Sequence, residues 1–193
     1  MNHVVKPSLT DKFLYNEIIR LRDEYQIKTF IETGTHVGAS SIIASEIFEQ
    51  VITCENHDWY FSKAEENIKN SNKSNIKLYK KSSVNLFDEI LPIGEKCIIF
   101  LDAHGDHDFP LLKELDLISK DNIKHIIIIH DFYVPDENGK AKFQYDTWGS
   151  STINLDYVRE SLNKIYGLDG FDYYYLNDQE ISGVIYITEK KLN

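Results

Sequence analysis

Short apolar runs of β-type residues alternate along this chain with longer stretches in which apolar residues recur every three or four positions. The first periodic stretch runs from about Asp11 to Tyr25. Phe13, Leu14, Ile18 and Leu21 fall on one helical face, and Thr10 stands as its cap. A strand is predicted over Lys28–Glu32, then a helix over Ala39–Phe48 with Ile42, Ile43 and Ile47 turned inward. Val51–Cys54 reads as the second strand, ending at Glu55, and Asp58–Asn70 as the next helix. Ile76–Tyr79 is the third strand, and Val84–Ile90 a short helix that Pro92 and Gly94 end. Cys97–Leu101 forms the fourth strand and runs into Asp102-Ala103-His104, with Gly105–Asp108 as a polar loop. Pro110 opens a helix to about Lys120, with Leu111, Leu112, Leu115 and Ile118 as its buried stripe. The fifth strand, His125–Ile129, carries consecutive isoleucines suited to burial on both faces and ends at His130-Asp131.

Pro135–Thr147 is polar, contains Gly139, and reads as a long loop suited to a lid or a substrate loop. Asn154–Tyr166 is helical, with Leu155, Val158, Leu162 and Ile165 on one face. Asp172–Leu176 and Gly183–Thr188 are strands joined by Asn177–Ser182, an antiparallel hairpin. Strands alternating with helices imply a parallel sheet covered on both faces, to which the hairpin adds two strands. A single domain over 1–193 is expected, with 1–27 as a helical segment packed on it.

Composition narrows the function classes. The chain has 193 residues, 42% of them hydrophobic, enough for one domain with a sizeable core. No apolar run approaches the ~18 residues of a membrane span. The first residues lack the apolar core of a signal peptide, so a cytoplasmic protein is expected. Cys54 and Cys97 lie in strand-like runs and read as buried thiols, not as a disulfide framework or a zinc site. A net charge of −10 disfavours a nucleic-acid partner, which needs a basic face. Lys77, Lys80 and Lys81 read as a solvated strand edge.

The candidate chemistry gathers around Thr29–Gly38. A strand, a tight glycine turn and a helix begin a nucleotide-binding unit. The spacing is E-x-G-x-x-x-G, with Glu32 before Gly34 and Gly38 after it, and not the dinucleotide fingerprint G-x-G-x-x-G. Glu55 stands roughly 20 residues past the turn, where a carboxylate can hold both ribose hydroxyls. His57, Trp59 and Tyr60 follow, either against an adenine ring or in the core. Glu32, Glu55, Asp102 and Asp131 are all strand-end acids, at the edge where doubly wound sheets bind ligands.

The run Glu32-Thr33-Gly34-Thr35-His36-Val37-Gly38 resembles motif I of class I S-adenosylmethionine (SAM)-dependent methyltransferases. With the terminal hairpin, the resemblance extends over nearly the whole chain. It implies an α/β, Rossmann-like, doubly wound sheet of seven mostly parallel strands in the order 3-2-1-4-5-7-6. It also implies SAM held by Glu32, Thr33, Gly34, Thr35, His36 and Gly38, with Glu55 and Asn56 on the ribose. Ser82 or Ser83 would stand in the adenine pocket where that family often carries Asp, and Asp102 beside the methyl donor.

Asp102, Asp131 and His130 form a candidate site for Mg²⁺ or Mn²⁺, whose hard character suits carboxylate oxygens. His104 or His107 could take a proton from a hydroxyl. Asp102-Ala103-His104 followed by His130-Asp131 resembles the metal-dependent sugar O-methyltransferases of the macrocin and mycinamicin type. That resemblance implies Asp102 and Asp131 as metal ligands, His104 as general base and a sugar or glycan hydroxyl as acceptor. This chain departs from the pattern in having His130 where an acid is usual, and in a short spacing from Asp102 to His104. His130 therefore stands as ligand, base or neither. The competing reading is that Asp102 and Asp131 cap helices or bond loop backbone.

Phe143–Trp148 mixes aromatic and polar residues, as a sugar-binding loop does, although Phe143 and Trp148 could equally be packing residues. His125 and Tyr173–Tyr175 read as structural, and His36 as either solvated backbone or a cofactor contact. Other readings of the whole are a methyltransferase for a non-sugar natural-product hydroxyl and a catalytically inactive nucleotide-binding domain. An NAD-type dehydrogenase is disfavoured by the glycine spacing.

Overall fold

A computed structural model of the chain describes residues 8–103, 109–178 and 181–191. After a single 3₁₀ turn at Ser8–Thr10 come α1 (Lys12–Tyr25), β1 (Thr29–Thr33), α2 (Ala39–Ala44), β2 (Gln50–Cys54) and α3 (Asp58–Asn70). Then follow β3 (Ile76–Tyr79), α4 (Ser83–Ile90), β4 (Ile98–Leu101), α5 (Leu111–Ile118) and β5 (Ile126–Ile129). The last part holds a small hairpin, β6 (Thr147–Trp148) and β7 (Ser151–Thr152), then α6 (Leu155–Tyr166), β8 (Phe171–Tyr174) and β9 (Ile185–Glu189).

The main sheet has seven strands in the order β3-β2-β1-β4-β5-β9-β8, with β9 antiparallel to both its neighbours. This is the expected order, since β8 and β9 are the sixth and seventh strands read from the sequence. The added hairpin β6–β7 forms beyond the expected loop.

Strand alternation divides the core. Phe30, Ile98, Phe100, Ile126, Ile128 and Tyr186 face Leu14, Ile18 and Leu21 of α1. Ile31, Ile99, Leu101, Ile127 and Ile129 face Leu115 and Ile118 of α5 and Val158, Leu162 and Ile165 of α6. β1, β4 and β5 are buried along their whole length, so the middle of the sheet is rigid and its carboxyl ends are fixed points. Cys54 and Cys97 are buried free thiols. Among the described residues no helix is long and apolar enough to cross a membrane.

The structure corrects several local expectations. Asp11, not Thr10, caps α1: its carboxylate accepts from the N–H groups of Phe13 at 2.8 Å and Leu14 at 3.3 Å. An ionised cap also suits the positive end of the helix dipole. α2 stops at Ala44; Ile43 and Ile47 are half-buried and pack on the core, as expected, while Ile42 is half-buried outside it. The fully buried residues of α2 are Ser40, Ser41 and Ala44, and Ser41 reaches a buried acid on β1. In α5 the buried stripe is Leu111, Glu114, Leu115 and Ile118, while Leu112 is 37% exposed.

The segment from Tyr133 to Asn154 is bonded down as a wall, not left as a free loop. Lys142 N–H donates to Val134, Gln144 N–H to Ile181 and Asp146 N–H to Asp131. Gly183 seals the junction: its N–H reaches Gln144 O at 2.8 Å, and its carbonyl accepts from Phe132 N–H at 2.8 Å. A Cβ at Gly183 would lie 2.1 Å from Phe132 O, so only glycine permits this approach.

Candidate active site

The β1–α2 turn is built from left-handed residues. Gly34 (φ +81°), His36 (φ 52°) and Gly38 (φ +85°) bring the chain off β1 and into α2. A Cβ at Gly34 would lie 2.8 Å from the carbonyl oxygen of Asp102, so the turn packs directly on the tip of β4. This is the point where strand order reverses, between β1 and β4.

The amides of this turn bond inward. Gly34 and Thr35 N–H both reach Cys54 O, at 3.2 and 3.0 Å, and Gly38 N–H reaches Thr35 O at 2.9 Å. His36 N–H donates to Glu55 Oε2 at 2.8 Å, and His57 N–H donates to Glu55 Oε1 at 2.7 Å. Glu55 thus sits fixed at the end of β2, and each oxygen keeps a lone pair for a further donor. The His36 ring packs on Tyr60 with centroids 4.2 Å apart, and burial lowers the His36 pKa.

Behind the turn lies a buried polar chain. Glu32 is 2% exposed and accepts from Ser41 and, at 3.1 Å, from Thr53. Thr35 and Thr53 hydroxyls meet at 2.5 Å. Burial pushes the Glu32 carboxyl up to about 8, against the pull of Ser41. Thr33 Oγ1 accepts from Asp102 N–H at 3.2 Å and so ties β1 to β4. The Thr33 and Thr35 hydroxyls are therefore committed inside the protein. Ser82 caps α4, accepting from Asn85 N–H at 3.3 Å, and Ser83 is buried in its first turn. The Asn56 carbonyl accepts from Lys80.

At the tips of β4 and β5 the structure brings Asp102, His130 and Asp131 together, with one ligand-type atom of each within 4.8 Å of the others. His130 Nδ1 lies 3.1 Å from Asp102 Oδ1 and 3.3 Å from Asp131 Oδ2. That nitrogen is buried, yet among the described residues none is aligned to hydrogen-bond with it. Burial disfavours the imidazolium, but the two carboxylates outweigh it and hold the His130 pKa well above its ordinary value. Asp131 takes the left-handed conformation, φ 52°, which turns the chain sharply off β5. The cavity at this corner measures about 10 Å³, room for one water or ion, and Glu114, Asp146 and Phe109 also line it.

Asp131 opens on its other side to a groove of about 800 Å³ lined by Lys142, Phe143, Gln144, Tyr145, Asp146 and Ile181. Tyr145 packs edge-on against Tyr133, and Trp148 stacks with Phe109 at 5.8 Å. Tyr145 and Trp148 each remain 37% exposed, so this segment is a surface and not core packing.

The sequence reading brought the glycine turn, Glu55 and the Asp102–His130–Asp131 corner to one edge of the sheet, and the structure gathers them there. His104 and His107, read as bases, lie outside the described residues. Ser41, Thr53, Glu114 and Ser8, which donates to Asp102 at 2.7 Å, were not read as site residues. Glu114 alone carried a signal: it falls at helical spacing inside the stripe Leu111, Leu115, Ile118, yet is charged. His125 is structural, as expected. Its Nδ1 accepts from Cys97 N–H at 3.2 Å, and its Nε2 faces Asp121 at 3.2 Å.

No protein-family model matches the chain, and no curated protein matches it. Among solved structures it is similar to an O-methyltransferase from Bacillus cereus in complex with SAH (S-adenosylhomocysteine). The identity is 17% and the TM-score 0.63, over 98% of this chain and 84% of that one. It is also similar to an rRNA methylase from Streptococcus thermophilus, at 12% identity and a TM-score of 0.59, over 97% and 99% of the two chains. At these identities the likeness is one of fold: the sheet order and terminal hairpin are those of Rossmann-like methyltransferases.

Proposed function

We propose that the chain is a SAM-dependent O-methyltransferase that acts on a sugar or glycan hydroxyl with the help of a divalent cation. The observation that carries this reading is the contact of the glycine turn with Asp102, which would put a nucleoside bound at the turn beside the acid corner. The inward bonding of the turn amides also supports it. A dinucleotide site needs those N–H groups free for pyrophosphate, whereas a sulfonium nucleoside carries none.

Gly34, His36 and Gly38 form the wall for the amino-acid end of the cofactor, and Glu32, Thr33 and Thr35 support that wall from behind. Glu55, with Asn56, takes the ribose, since its remaining lone pairs suit a diol. Ser82 and Ser83 stand for the adenine side. When bound, SAM supplies an electrophilic methyl group on a positively charged sulfur. Asp102, His130 and Asp131 fit a divalent cation: two carboxylate oxygens and a buried nitrogen converge on an ion-sized space, and a cation bound there would displace the proton that the two carboxylates favour on His130. Such a cation lowers the pKa of a hydroxyl and orients it. His104 or His107 receives the hydroxyl proton. The exposed face of Tyr145 in the groove suits the apolar side of a sugar ring, and Gln144 and Asp146 its hydroxyls. Because the wall is bonded down, it positions the acceptor and excludes water.

A thermal-shift titration with SAH, with NAD as control and each with Mg²⁺ or EDTA, tests the core of this reading. SAH at ~100 times its dissociation constant should stabilise the fold by roughly 2.7 kcal/mol. An equal response to NAD, or none to SAH, would overturn it. A labelled-methyl screen then separates sugars from phenolic hydroxyls and from RNA, which the net charge of −10 disfavours.

A further inference from the structure

Ser8 lies far from the strand tips in sequence, yet its hydroxyl donates to Asp102 Oδ2 at 2.7 Å. Its place is fixed by its neighbours. Leu9 is buried at 2% exposure, and its N–H points at Ser40 Oγ of α2, 3.4 Å away. Ser8 O accepts from Asp11 N–H at 3.1 Å, which joins the turn to the cap of α1. The 3₁₀ turn is thus wedged against α2 and α1, and its hydroxyl meets Asp102 from a set direction.

Asp102 is held at three points. Its N–H is bonded to Thr33 Oγ1, its Oδ2 to Ser8, and its Oδ1 faces His130 Nδ1 at 3.1 Å. A carboxylate is otherwise free to turn about its Cβ–Cγ bond, and can offer a cation either oxygen or both. Mg²⁺ demands near-ideal octahedral geometry, so that freedom matters.

We propose that Ser8 is a positioning residue: by engaging Oδ2 it stops the Asp102 carboxylate from rotating, so that Asp102 presents Oδ1 alone to a divalent cation shared with His130 and Asp131. This inference rests on the cation reading given above. Partners of this outer kind commonly change metal affinity by roughly 10- to 100-fold. If Ser8 only staples the N-terminal turn, its loss lowers stability and leaves cation affinity alone.

The test is a Mn²⁺ titration of the full chain, followed by the electron paramagnetic resonance of the free ion, on wild type, Ser8→Ala and Ser8→Thr. Melting temperatures are taken in parallel in EDTA. The expected result is binding roughly tenfold weaker or more in Ser8→Ala, and largely restored in Ser8→Thr, which keeps the hydroxyl. Wild-type affinity in Ser8→Ala overturns the inference, whatever happens to its melting temperature. So does equal weakening in both variants. A wild-type chain that takes up no Mn²⁺ overturns the cation reading and this inference together, while the SAH titration judges the methyltransferase reading separately.

Discussion

Gly34 and Asp102 meet backbone to backbone: a methyl group on Gly34 would lie 2.8 Å from the Asp102 carbonyl oxygen. This contact holds the glycine turn and the acid corner in one frame. Gly34→Ala must therefore both populate φ +81° and displace the tip of β4. We expect a loss of at least about 1–2 kcal/mol in urea unfolding, with weaker binding of SAH and Mn²⁺ together. Loss of stability with both affinities intact would separate the two halves of the site.

Glu32 makes stability depend on pH. Its carboxyl is ordinarily near 4.5 and is raised to about 8 in the fold, by burial first and then by Asp102 and Glu55. Between those values the folded chain keeps a proton that the unfolded chain has lost. Stability contributed by the neutral acid is thus full below about 4.5 and declines as pH rises toward about 8. One such group changes the slope by at most about 1.4 kcal/mol per pH unit. Glu32→Gln should flatten the fall of melting temperature over this window; an unchanged slope would show Glu32 ionised in the fold.

Asp131 combines a strained backbone with a charge. Asp131→Asn keeps a side chain that tolerates φ 52° but removes one anionic oxygen facing His130. Stability should stay within about 1 kcal/mol of wild type, because four acids line the corner and one charge fewer offsets the lost ion pair. Mn²⁺ affinity should fall by at least tenfold. Calorimetric titration decides this, and undiminished affinity would exclude Asp131 as a ligand.

Gly183 keeps the groove wall in place. Gly183→Ala would set a Cβ 2.1 Å from Phe132 O, so the wall must detach locally. Hydrogen exchange at the Phe132 and Gln144 amides should rise by more than tenfold, with the sheet amides unaffected. Exchange unchanged at these sites would mean that the strain is absorbed elsewhere.

Tyr145 offers an exposed ring at the groove. With a sugar acceptor in hand, Tyr145→Ala should raise KM for that acceptor about 3- to 10-fold, the equivalent of one aromatic contact, with kcat little changed. A fall in kcat alone would place Tyr145 nearer the reacting atoms.

The parts of this fold that were legible in the sequence are those where one local rule decides the outcome. Four isoleucines at 126–129 can only be a strand buried on both faces, and the run from Glu32 to Gly38 leaves few options but a tight turn. Alternation of strands and helices implies a parallel sheet covered on both faces, whereas the strand order comes from the family resemblance, because alternation does not say which strands are neighbours. The parts that escaped depend on contacts between distant segments. Ser41 is fully buried and reaches Glu32 on β1, while Ile42 beside it is half-buried outside the core. Glu114 is buried because the acid corner lies under α5. The Tyr133–Asn154 wall is bonded to Asp131, Ile181 and Gly183, partners that no local pattern announces.

The inward bonding of the Gly34, Thr35, His36 and Gly38 amides bears on competition inside a cell. ATP and NAD carry adenosine too, and on the proposed reading would meet the same carboxylate at Glu55. Their phosphates would arrive where backbone donors already have acceptors and where Glu55, Asp102 and Asp131 stand at the strand ends. An anionic tail would thus meet repulsion in place of hydrogen bonds. On the proposed reading, a turn that admits one adenosine ligand would turn away the commoner ones without any residue devoted to refusing them.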